Sequence, residues 1–123
     1  MADGAARAGV DAPLSPHLQI WRFTVTMASS ITHRGTGVAL YSGTLLLATW
    51  AFAISLGPAS FYPIGGFMTS PFGIAILAGY TWALLFHAMN GIRHLYWDSG
   101  RGLNYQTARR TAWFVYIASF VLT

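Results

Sequence analysis

The chain has 123 residues, 54% hydrophobic and 8% charged, with seven Arg, three Asp, no Lys and no Glu, for a net charge of +4. A soluble domain carries about 25% charged residues, and disorder requires few apolar groups, so both are excluded and the length allows one domain at most. The absence of Cys excludes disulfides, thiolate metal sites, iron–sulfur ligation and covalent c-type haem, and an Arg excess in so apolar a chain fits a membrane surface rather than nucleic acid.

Residues 1–14 read as a flexible N-terminal tail, rich in Ala, Gly and Asp. They lack the apolar core of a signal peptide. Ser15-Pro16 has the form of a helix start, with Ser as N-cap and Pro in the first helical position. Leu18 and Trp21 then share a face, which predicts a short interfacial helix with a Trp anchor. From Gly35 to Ile92 there are 58 residues without Asp, Glu, Lys or Arg. A bilayer span needs about 20 apolar residues, so this run suits two spans.

Gly57-Pro58 and Ser70-Pro71 bracket a segment that also holds Pro63, Gly65 and Gly66. That density of Pro and Gly predicts a connecting loop. The predicted spans therefore cover about residues 29–56 and 72–93. A third apolar run, Thr111 to Thr123, has 13 residues and rises only about 20 Å against a hydrocarbon core of about 30 Å. Begun at Tyr105, with Arg109 and Arg110 snorkelling outward, it gives a third span over about 105–123; the alternative is a buried or re-entrant tail. The runs lack the alternation of β-barrel strands. The fold class is thus all-α: a transmembrane helical bundle, residues 15–123, with three spans and a short N-terminal interfacial helix. All seven Arg fall on one side of it, which places the N-terminus inside and the C-terminus outside.

His87 lies six residues, or roughly 9 Å, below Arg93 along a helix, inside the bilayer. Intramembrane ionisable groups face a bundle interior, a cavity or a cofactor. Three readings stand: haem ligand, proton relay, or a His hydrogen-bonded to a neighbouring helix. Ala83 and Gly91 flank it at four residues on either side, leaving room for a flat macrocycle or for a packed helix. In the first span Gly35, Ala39 and Gly43 form a small-residue stripe suited to helix packing. His94 lies on nearly the same face as His87, nearer the interface. With Arg93 it is a candidate contact for haem propionates, against the alternative of snorkelling interfacial side chains. Ser30 and Arg34 are i and i+4 at the inner end of the first span, with His33 beside Arg34 at the membrane edge, above the level of His87. A hydroxyl and a guanidinium side by side can both donate to one quinone carbonyl oxygen. The alternative is a helix cap and an interfacial anchor.

Three blocks carry a resemblance: Ser15-Pro16-His17-Leu18-Gln19-Ile20-Trp21-Arg22, Ser30-Ile31-Thr32-His33-Arg34-Gly35-Thr36-Gly37, and His87-Ala88-Met89-Asn90-Gly91-Ile92-Arg93-His94-Leu95-Tyr96-Trp97-Asp98. In order and spacing they resemble the cytochrome b subunits of succinate dehydrogenase, the larger membrane anchors of respiratory complex II. Ala12 stands where many members carry Arg. The resemblance implies three transmembrane helices and a second small membrane anchor subunit. It also implies one haem b shared by the two anchors, and a flavoprotein and an iron–sulfur subunit docked on the inner side. Electrons from succinate would pass to ubiquinone. The family's quinone-site Ser and Arg fall on Ser30 and Arg34, and its axial haem ligand on His87, with the other axial His expected from the partner anchor. His33, His94 and Arg93 are the candidate propionate contacts. The membrane implied is the bacterial or mitochondrial inner membrane. A fumarate reductase anchor, a cofactor-free structural anchor and a proton-conducting protein are the alternatives. The last would want ionisable groups across the bilayer, and the outer half has none.

Overall fold

The computed structural model describes residues 19–123. Four α-helices make up the regular structure among these residues: α1 (Val25–Ser55), α2 (Pro58–Thr69), α3 (Pro71–Asp98) and α4 (Tyr105–Leu122). The predicted tail and the Ser15-Pro16 helix start lie outside the described residues. Residues 19–24 are turn and irregular backbone rather than helix, so no interfacial helix extends to Trp21. Thr24 ends that stretch in an extended conformation and caps α1, its side chain accepting from the Met27 N–H. The cap moves the start of α1 four residues ahead of the predicted Ser29. At the other end α3 continues to Asp98, past the predicted Arg93, because neither Arg93 nor His94 interrupts a helix.

The segment predicted as a loop is a helix. Gly57 takes φ 96°, a left-handed conformation that favours Gly. Pro58 then occupies the first turn of α2, where its missing N–H costs nothing. Pro63 removes one bond inside the helix, yet α2 still runs for 12 residues. These Pro and Gly residues start and stop a short helix instead of dissolving it. Ser70 ends α2 and begins α3. Its hydroxyl donates to the Phe67 carbonyl at 2.6 Å and accepts from the Gly73 N–H at 3.1 Å.

Side-chain pairs fix the register. Ser29 meets Arg93, Thr36 meets His87, and Gly43 meets the Tyr80 ring, so α1 and α3 are antiparallel. Arg93 with Thr111 and Phe86 with Tyr116 make α3 and α4 antiparallel as well. The three long helices pack on one another, and α2 packs on α1 and α3 at the end away from Arg93. The core is thin: Ala83, Phe86, Ala112 and Val115 are its buried apolar members on α3 and α4, joined by Ser29, Thr36, Asn90, Arg93 and Ser119. The large apolar side chains point outward instead, with Tyr41, Phe120 and Val121 at 74%, 77% and 76% exposure. Such a surface suits lipid or partner helices, not water. By length and composition α1 and α3 can each cross a membrane.

The small-residue stripe divides. Gly43 packs against the Tyr80 ring, whereas Ala39 is exposed and Gly35 has open space where a side chain would lie. The close approach to His87 comes from Gly37, which lay off the stripe. Around His87, Ala83 is buried and Gly91 faces open space, so the two do not form a matched pair. Gly73 is the most constrained glycine: a Cβ there would overlap the Phe67 carbonyl and come within 2.7 Å of Met68 backbone. Gly73→Ala is therefore expected to destabilise the α2–α3 corner by about 1–3 kcal/mol. Gly66→Ala, with no neighbour within 4 Å, should be tolerated. Thermal denaturation of the detergent-solubilised subunit checks the pair, and equal midpoints would refute the corner geometry.

Candidate functional site

His87 reaches across from α3 to a seat on α1. Its Nδ1 lies 3.1 Å from the His33 carbonyl oxygen and 3.2 Å from Thr36 Oγ1. A carbonyl only accepts, so Nδ1 carries the proton. Thr36 donates its own hydroxyl proton to the same carbonyl at 2.9 Å and so accepts from Nδ1. In the neutral ring this leaves Nε2 as a bare lone pair. An imidazole anchored through Nδ1–H to a carbonyl is the arrangement that orients metal-binding His. The donor set of His87 is thus chemically compatible with a metal ligand, and the hydrogen-bonded reading does not exclude the ligand reading.

The His33 ring lies against the His87 ring, centroids 3.9 Å apart and planes 16° from parallel. The sequence expectation set His33 above His87; the antiparallel register brings the two to one level. Axial ligands present a nitrogen edge to iron, so imidazoles stacked face to face cannot hold one iron between them. His94 is exposed, 5.3 Å from the His33 ring and edge-on to Trp97 at 5.1 Å. Among the described residues the buried His33 Nδ1 has no hydrogen-bond partner.

Arg93 departs most from expectation. It is 5% exposed, not a surface group. Nη1 donates to Ser29 Oγ at 3.0 Å and to Asn90 Oδ1 at 3.1 Å, Nε to Thr111 Oγ1 at 3.0 Å, and Nη2 to the Ala108 carbonyl at 2.9 Å. Its guanidinium also stacks 4.0 Å above the Trp97 ring. One side chain thereby ties α1, α3 and α4 together. Four committed donors orient it into the bundle, which leaves it poorly placed for a propionate and rules out simple snorkelling. Ser29, Asn90 and Thr111 were not singled out from the sequence. The signal was there: a polar amide in a charge-free apolar run needs a partner.

Ser30 and Arg34 follow one turn apart on α1. Ser30 is half-buried, adjoining the buried Ser29, and Arg34 is exposed. Arg22 and Arg109 line one groove, with Thr24, Tyr105 and Trp113.

Residues 10–123 match the sequence profile described as succinate dehydrogenase/fumarate reductase transmembrane subunit. The chain is 38% identical over 110 residues to the succinate dehydrogenase cytochrome b556 subunit of Paracoccus denitrificans, covering 89% of this chain and 85% of the relative. It is 36% identical over 111 residues to the cytochrome b556 subunit of Rickettsia bellii, covering 90% and 86%. The mitochondrial cytochrome b560 subunit of Sus scrofa is 39% identical over 109 residues, covering 77% of this chain and 57% of that longer protein.

Proposed function

The chain belongs to the succinate dehydrogenase/fumarate reductase transmembrane subunit family, and from that premise we propose that it is the cytochrome b membrane anchor of a succinate:ubiquinone oxidoreductase. It holds haem b through His87 and forms part of the ubiquinone-reduction site through Ser30 and Arg34. The observation that carries this reading is the His87 ring held by its Nδ1 proton on α1, leaving Nε2 free for iron. Haem b supplies a one-electron centre when bound. His33 and His94 are the proposed propionate contacts, and Arg93 is withdrawn from that role. His33, stacked on His87, and His94, on the same helix, are not placed to hold the same iron with His87, so a partner anchor would supply the second His.

The chain has no dehydrogenase activity of its own. The flavoprotein and iron–sulfur subunits dock on the inner side, and electrons reach quinone from them. The described residues 19–123 fall within the anchor domain. With α4 as the third span, the N-terminus lies inside a bacterial or mitochondrial inner membrane and the C-terminus outside. The 18 residues of α4 rise about 27 Å, close to the hydrocarbon thickness if the helix is immersed from Tyr105 and Arg109 and Arg110 snorkel outward to the inner interface.

At the quinone, the Ser30 hydroxyl and the Arg34 guanidinium donate to one carbonyl oxygen. Both bonds strengthen as negative charge builds there, because fixed donors need no reorganisation. Arg34→Leu is expected to lower succinate:ubiquinone activity at least tenfold, since a hydrogen bond to a charged group contributes about 1.5–3 kcal/mol. Ser30→Ala should act in the same direction with a smaller effect. Succinate oxidation by a soluble dye should be unchanged in both. Equal losses in the two assays would mark an assembly defect and remove the quinone assignment.

A further inference from the structure

We propose that Thr36 is a positioning residue for haem ligation by His87, acting through the Nδ1 proton to hold down the potential of the haem iron. The inference rests on His87 being the ligand and goes beyond it, because the chemistry lies on α1. Four features of that helix converge on one imidazole. The His33 carbonyl and the Thr36 hydroxyl share its Nδ1 proton at 3.1 and 3.2 Å. The His33 ring covers one face at 3.9 Å. Gly37 leaves the gap the ring enters, since a Cβ at 37 would stand 3.1 Å from His87 Cε1.

Thr36 also bonds back to its own helix through the His33 carbonyl, as Thr44 does to Tyr41. That local bond is common in helices and by itself implies nothing. Thr36 differs in being 5% exposed with its oxygen against a ring nitrogen of another helix. Its proton is used on the carbonyl, so its lone pair faces Nδ1–H. Two acceptors on one N–H draw the proton outward and leave the imidazole more electron-rich at Nε2. A more basic axial ligand stabilises ferric over ferrous iron. Val at 36 keeps the shape of Thr but sets a methyl against the N–H. The ligand then becomes a weaker donor, and the potential rises.

The test uses the assembled complex, purified in mild detergent, with three variants: Thr36→Val, Thr36→Ser and His87→Ala. Each is read by its reduced-minus-oxidised spectrum and by potentiometric titration of the haem. Thr36→Val is expected to raise the reduced-to-oxidised ratio at fixed potential about threefold, or about 30 mV at 59 mV per tenfold. Thr36→Ser, which restores the hydroxyl, should return the value to that of the parent. If Thr36→Val instead loses haem while Thr36→Ser keeps it, the seat is needed for ligation itself and the inference stands. An unchanged or lowered potential in Thr36→Val, or a change that Ser does not restore, overturns it. Haem retained in His87→Ala would overturn the ligand assignment beneath it. Haem lost there with Thr36→Val unaltered would overturn this inference alone.

Discussion

Arg93→Leu is expected to remove most of the assembled subunit from the membrane. The guanidinium is buried and joins three helices through four hydrogen bonds and the Trp97 face. Ser29 and Thr111 keep bonds within their own helices after the change, because their hydroxyls also donate to nearby carbonyls. Asn90 does not. Its side chain is fully buried, and its Nδ2 already has no partner among the described residues. Losing Arg93 would leave the whole amide bare. A buried unsatisfied group costs about 1–3 kcal/mol, and the lost contacts of a long side chain add to that, so a total of about 3 kcal/mol or more is expected. Lys at 93 should rescue poorly, since a single ammonium cannot reach acceptors set around a planar fork. The double variant Arg93→Leu with Asn90→Leu should be more stable than Arg93→Leu alone, because it removes the stranded amide. Immunoblots of extracted membranes and thermal denaturation read the outcome. Parental levels of Arg93→Leu would show that the cluster does not hold the bundle.

His87→Asn is expected to abolish the b-type haem spectrum while the subunit still assembles. An Asn amide can replace the Nδ1 proton on the His33 carbonyl but offers no imidazole nitrogen to iron. The substitution therefore separates the hydrogen bond of His87 from its lone pair, which Ala would remove together. Retained low-spin haem in the assembled variant would refute the ligand assignment. The parent chain expressed alone, without the proposed partner anchor, should bind haem weakly, or in a five-coordinate form that takes up carbon monoxide. His33, stacked on His87, could not hold the same iron with it, so a bis-His spectrum from the monomer would refute the proposed two-subunit site.

Much of the architecture follows from local sequence. Runs without charge over 35–92 are suited to membrane-spanning or core helices, and their interruption by Pro and Gly falls between the end of α1 and the start of α3. The same residues misled about the corner itself. Pro and Gly at that density predict a break, yet Pro58 and Pro71 each stand at a helix start and Gly57 supplies the turn before one. Their effect depends on position within the turn, which composition does not specify. Spacing along one helix likewise paired Ser30 with Arg34 and His87 with His94, since i, i+4 and i, i+7 relations are properties of the helix alone.

Distances between helices were beyond that reach. His33 and His87 are 54 residues apart, and only the antiparallel register of α1 and α3 brings their rings into contact. Gly37 and Thr36 gained meaning only because His87 arrives beside them. Arg93 shows the limit most clearly. A charge near the end of an apolar run is assigned to the interface by default, because burying it alone would be costly. Packing supplied acceptors from α1 and α4, and with every one of those bonds formed inside the bundle, the buried position became the stable one.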